Sequence, residues 1–374
     1  MFRSVSAFCL TAAFAMAFTA SVRGADWAMM RGSPDNRGVA TDTLVPPLKR
    51  VWTFDAKGSV EGTAAVVGDR VYMGTLSGKL YALRLTDGKP VWVFTAKAAI
   101  SASPCVVDGM VFIGDEAGTF YALNAATGKP RWKYTTGDKI VSSAVPAPGV
   151  VLVGSYDNRL YCLRRKDGKV LWSFKAEAQV HGTPCVVGSN VIIAGCDGYV
   201  RCLNLGTGKQ RSALHVNANF GAPAAGLDGT VVVGSLSGVY LRVRLADGKA
   251  VWQVREKEDG AAVYAGAAVI ENAAIFGSRS ARIVRLDTAT GAVRWTFRTK
   301  GQVNSSPVVS GAVVYVGCDD GNLYALDLSS GRERWHFRAG SEIKASPAVG
   351  RGRLVIGAAD GSVYCFAPAA PARR

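Results

Sequence analysis

The stretch from Ser305 to Phe337 reads SSPVVSGAVVYVGCDDGNLYALDLSSGRERWHF. It holds four short runs: Ser305 to Val309, Val313 to Gly317, Leu323 to Asp327 and Arg334 to Phe337. Val, Tyr, Leu and Trp dominate them, and the turns between include Asp319-Asp320-Gly321-Asn322 and Ser329-Ser330-Gly331-Arg332. Runs of this length and composition, separated by Gly/Asp/Ser turns, predict antiparallel strands joined by hairpins. None has the length or the period of an amphipathic helix.

The same pattern recurs outward from this stretch. Trp52, Trp92, Trp132 and Trp172 are spaced 40 residues apart, Trp252 follows after 80, and Trp295 and Trp335 after 43 and 40. Ser212 stands where the missing tryptophan would fall. Four strands in a repeat of about 40–45 residues make one blade of a propeller. An orphan outer strand around Trp52 precedes the first full copy, and the last copy, from Ala345 to Phe366, lacks its fourth strand. The chain is therefore predicted to be all-β, an eight-bladed β-propeller of four-stranded antiparallel blades closed by the N-terminal strand. Closure of that kind protects sheet edges. The expected organisation is residues 1–24 as signal peptide, 25–49 as an N-terminal segment, 50–367 as one propeller and 368–374 as a Pro/Ala and basic tail.

The spacing Ala-x5-Gly-x3-Trp stands here as Ala82, Gly88, Trp92; as Ala122, Gly128, Trp132; and as Ala325, Gly331, Trp335. It resembles the tryptophan-docking motif of the pyrroloquinoline quinone (PQQ) repeat family, over about residues 50–366. The resemblance implies that the seven repeat tryptophans pack between neighbouring blades and that Ser212 weakens one such contact. It also implies two functional classes. One is a cofactor-free scaffold like the outer-membrane assembly factor BamB. The other is a quinoprotein dehydrogenase or sensor holding PQQ and Ca²⁺. This chain has nearly minimal repeats and no adjacent Cys-Cys pair. The leading expectation is a non-catalytic scaffold without cofactor, with the PQQ and Ca²⁺ reading as the alternative.

Arg3 followed by an apolar run from Val5 to Ala20, with small residues at Gly24 and Ala25, reads as a secretory signal. No lipobox surrounds Cys9, and no other stretch is apolar enough to span a bilayer. A periplasmic or secreted protein is expected, which argues against nucleic acid as a partner. The net charge is +16, with Lys89, Lys129, Lys169, Lys209, Lys249 and Arg332 each following the glycine before the outer strand. They form a solvated rim or attract an acidic envelope ligand or protein. A monomeric propeller working within a complex is expected. Seven cysteines follow the signal, with no metal-ligand spacing; an odd number cannot pair completely, and they read as small buried side chains.

The candidate site comes from the repeat itself. Three residues before the Pro or Ala that opens each innermost strand, the copies differ while their flanks agree. That position reads Glu61, Ser101, Val141, His181, Phe220, Tyr264, Asn304 and Lys344. It is predicted to ring the axial mouth and to bind a ligand. Glu61 and Asn304 offer oxygen to Ca²⁺, Lys344 a cation to a quinone carboxylate, and His181 a proton near neutral pH. The turn acids Asp115, Glu116, Asp157, Asp197, Asp319, Asp320 and Asp360 are placed on the same face. The insertion from Arg255 to Gly260 is expected to overhang Tyr264.

Overall fold

The computed structural model describes residues 24–256 and 261–369. The signal-like segment up to residue 23, insertion residues 257–260 and tail residues 370–374 lie outside them. Eight four-stranded antiparallel blades stand around one axis, and no described residue is helical. No helix long and apolar enough to cross a membrane is therefore present among the described residues. The innermost strands begin at Ala65, Cys105, Val145, Cys185, Ala225, Ala268, Val308 and Ala348, which numbers the blades 1 to 8. In blade 7 the strands are Val308–Ser310, Val313–Gly317, Asn322–Asp327 and Glu333–Arg338. Blade 8 takes its outer strand, Leu48–Asp55, from the N-terminal side of the ring, antiparallel to Ser362–Pro368. The innermost strand enters from the axial mouth, so the second hairpin turn returns to the mouth and the first and third lie on the far face.

Blades are joined by their tryptophans. The ring of Trp132 lies so close to Gly168 of the next blade that a Cβ there would sit 2.5 Å from it. Gly168 also has φ +74°, which only glycine adopts without strain. The indole N–H then donates to Arg165 O at 2.8 Å. Trp52, Trp92, Trp172, Trp252 and Trp295 repeat both contacts on the following blade, and Trp335 meets Phe366 edge-on. At the missing tooth the Ser212 hydroxyl donates to Leu245 O at 2.9 Å. The hydrogen bond survives there and only the ring is lost.

The N-terminal segment is not a simple lead-in. It coils inside the channel and visits the blades in order. Ala25 O accepts from Arg351 N of blade 8, and Trp27 pairs both ways with Val66 of blade 1. Carbonyls of Ala28, Pro34, Asp35, Arg37 and Gly38 then accept from Val106, Val186, Gly226, Val269 and Val309. These donors sit at one repeat position of the innermost strands, where an empty channel would leave them to water. Blade 3 has Pro146 there, with no N–H to satisfy. Asn36 Nδ2 donates to Pro184 O and Ala224 O, and Arg31 Nη2 to Ala267 O and Pro307 O. Val39–Ala40 then adds a parallel strand to Val308–Ser310. The far end of the axis is plugged by the chain itself.

All seven described cysteines are free thiols, six of them buried. Burial pushes Cys105, Cys162, Cys318 and Cys365 up to about 12, so none is a thiolate at neutral pH. The docking geometry predicts unequal losses. Trp132→Ala removes ring and hydrogen bond and costs about 3 kcal/mol; Ser212→Ala removes one hydrogen bond and costs about 1 kcal/mol. Urea unfolding of the two variants beside the parent checks the difference, and equal losses contradict it.

Candidate functional site at the axial mouth

Above the plug lies a blind cavity of about 130 Å³, with Met30 among its lining. Seven of the eight predicted positions line it: Glu61, Ser101, Val141, His181, Tyr264, Asn304 and Lys344. Phe220 does not. It is fully buried in the core cluster with Cys185, Ile192 and Ala194. The prediction counted back from Pro223, which stands one position ahead of the usual proline. Ala225 opens the strand, so Gly221 holds the mouth position. Phe220 instead matches Ile100, Ile140 and Val180, apolar residues that seat on the end of the preceding blade's second strand.

Beneath this ring runs a belt of hydroxyls. Thr63 N donates to Ser103 Oγ, Ser103 N to Ser143 Oγ and Ser143 N to Thr183 Oγ1, at 2.9 to 3.1 Å. Gly266 N donates to Ser306 Oγ and Ser306 N to Ser346 Oγ, both at 2.9 Å. Each hydroxyl ties its blade to the one before. The belt breaks at blade 5, where Pro223 has no N–H to donate and Gly266 of the next blade no hydroxyl to receive it.

A second ring, from the turns between second and third strands, was missed in the sequence. Tyr156 approaches His181 Nδ1 at 2.6 Å. Burial, with Lys139 second, holds the His181 imidazole below its ordinary value, and burial raises the Tyr156 phenol. The imidazole is therefore neutral at pH 7 and shares one hydrogen bond with the Tyr156 hydroxyl. Arg279 Nε donates to Asn304 Oδ1 at 2.8 Å and its guanidinium lies 3.8 Å over the Tyr264 ring. Asn304 Nδ2 donates to Asp319 at 2.7 Å. Lys344 lies 3.0 Å from Glu342 and 4.0 Å from Glu61. Hydrogen bonding to Glu342 raises the Lys344 ammonium, and burial raises the Asp319 carboxyl.

The turn acids divide. Glu116 and Asp319 occupy this second ring. Asp115 is fully buried and accepts from Tyr121 and three backbone amides, so it is a turn residue inside the fold. Asp157 and Asp320 hold Tyr161 and Tyr324 together with the backbone of a neighbouring loop. Asp197 pairs with Arg201, and Asp360 caps Ser362 N. Of the insertion, Arg255 and Glu256 are described: Arg255 ends the outer strand of blade 5, and the Glu256 carboxylate accepts from Tyr240 and Ser280, both at 2.6 Å. The remainder falls on residues 257–260. The turn lysines are exposed on the far face.

Fold and mouth together define a PQQ-repeat propeller. The profile of the family described as outer membrane protein assembly factor BamB matches residues 48–147, 136–254 and 237–370, and the chain belongs to that family. No curated protein matches the sequence. Among solved structures, BamB from Moraxella catarrhalis is similar at 19% identity and TM-score 0.76, over 86% of this chain and 99% of that one. Quinohemoprotein alcohol dehydrogenase from Comamonas testosteroni is similar at 13% identity and TM-score 0.79, over 93% of this chain and 82% of that one. At these identities the likeness is one of fold. The mouth itself makes a prediction: the His181 imidazole titrates below about 6.5, read by nitrogen-15 NMR. Charging it places a cation in a buried site beside Lys139, so this contribution to stability is present above that pH and is lost as pH falls through the lowered folded value. A midpoint at or above 6.5 contradicts the geometry.

Proposed function

We propose that this protein is a non-catalytic scaffold of the cell envelope, working within an outer-membrane protein assembly complex as the family description implies. The observation that carries this reading is the small axial mouth, where His181, Asn304 and Lys344 already hold partners. Pockets for drug-sized ligands enclose roughly 300–1,000 Å³, and this one encloses about 130 Å³ over a plug of the chain's own backbone.

The alternative pairing of PQQ with Ca²⁺ does not fit these residues. Lys344 of blade 8 stands between Glu61 and Asn304, the two oxygen donors such an ion would need. Asn304 Oδ1 already accepts from Arg279. Among the described residues no group of three His, Cys, Asp or Glu side chains converges as a metal site. Occupied donors and a small volume therefore favour a scaffold.

An envelope location, export by the N-terminal signal and a protein partner are parts of the same proposal. Loss of the protein is expected to lower folded outer-membrane β-barrels several-fold, read by heat-modifiable mobility on gels. Calorimetric titration of the protein with PQQ and Ca²⁺ is expected to give no saturable heat. Unchanged β-barrel levels together with Ca²⁺-dependent PQQ binding would overturn the scaffold in favour of a quinoprotein.

A further inference from the structure

The repeat supplies its own control for the gap at Ser212. Trp172, one blade earlier, packs on the same apolar cluster as Val150 and Leu205 and donates to Leu205 O. The corresponding residues around Ser212 are Asn190 and Leu245, with Leu245 O in the place of Leu205 O. They line a groove of about 360 Å³ together with Val187, Arg211, Gly229 and Ala246. Gly248 keeps the docking conformation, φ +69°, with Ala213 backbone against it where a ring lies elsewhere. The part of the seat beside Leu245 and Asn190 is thus open to solvent, while the part over Gly248 is filled by Ala213 backbone.

Its surroundings select what can enter. Arg211 is exposed and bonds only the neutral Ser189 and Asn190. Exposed Lys209 and Lys249, on the turns beside the groove, have no ion pair among the described residues. Asp247 is committed to Arg244 at 2.9 Å, which leaves Asp228 as the nearby free acid. On the outer strands Leu171 and Val251, exposed at 50% and 45%, hold the positions one blade to either side of Arg211. Apolar wall, cationic frame and flanking apolar residues favour an aromatic side chain with acids beside it.

We propose that the groove between blades 4 and 5 is a docking site for an aromatic side chain, an indole above all, carried on an acidic segment of a partner protein. The proposal rests on the scaffold reading for the existence of a partner. The pocket itself is testable without one.

Free indole is the first probe, since a cavity shaped for a ring binds the free ring. Saturable binding to the intact protein is expected by NMR shifts at groove residues. Ser212→Trp fills the seat from within. It should raise the unfolding midpoint and weaken indole binding at least tenfold. Ala246→Phe covers the groove from an exposed turn position that is Thr86, Ala126, Lys166 or Ser329 in other blades, so it folds; it too should weaken binding at least tenfold. A short peptide with Trp between Asp and Glu should bind at least tenfold tighter than one with Trp between lysines, and 0.5 M salt should erase the difference. Indole binding absent in the parent, or undiminished in both variants, overturns the site. Equal affinity for the two peptides overturns the acidic partner. An indole site that persists while β-barrel levels do not depend on the protein leaves the pocket standing and removes the scaffold.

Discussion

The contact of each indole with a glycine of the following blade is the constraint on which this molecule is built. A propeller blade buries its two faces only against its neighbours, so the ring stands or falls by its interfaces. At most interfaces one flat side chain of large area covers the neighbour's turn, and its N–H ties off a carbonyl that would otherwise be buried without a partner. The glycine is required twice over, by its positive φ and by the ring that occupies the space of its missing Cβ. Nearer the axis, hydroxyls do for the mouth what indoles do for the periphery, each crossing one blade boundary.

A ring made this way has an empty axis, and the empty axis has unsatisfied amides. The N-terminal segment resolves both. It offers a carbonyl to one blade after another and skips the blade whose proline has nothing to donate. Its Arg31 is wholly buried, and burial pulls the guanidinium down to about 9, still charged at neutral pH. Two carbonyls of blades 6 and 7 receive it, as two of blades 4 and 5 receive Asn36. The plug thereby becomes part of the core, and the channel becomes a shallow cup.

The periodic parts of this design were legible in the sequence. Forty-residue spacing of tryptophan, glycine and Val-rich runs is enough for blade number, strand order and the closing strand. Seven mouth positions followed from alignment of the copies. Phe220 was misplaced because a proline was used as the ruler, and Pro223 is displaced by one residue in the single blade whose mouth position is glycine. The hydroxyl belt was visible only as recurring Ser and Thr beside the mouth position, since nothing in a spacing says which amide a hydroxyl will meet. Tyr156 and Arg279 escaped because their turn was read for its acids alone. The plug was illegible for a deeper reason. Residues 25–40 carry no period, and their partners are backbone groups up to some 300 positions away, alike in any sequence.

These features decide where recognition can lie. Stability in a closed ring is close to a sum over blade interfaces, so one weakened boundary lowers the total without opening the structure. The mouth, by contrast, is a coupled set: Lys344 answers Glu61 and Glu342, and Asn304 bridges Arg279 and Asp319. A ligand entering there must displace partners already made. At the boundary after blade 4 the hydroxyl of Ser212 has replaced the polar half of an indole, so no buried carbonyl is abandoned. What is missing is apolar contact alone, and apolar contact can be supplied from outside without breaking any bond. A partner therefore gains more per contact at the defect in the ring than at its centre.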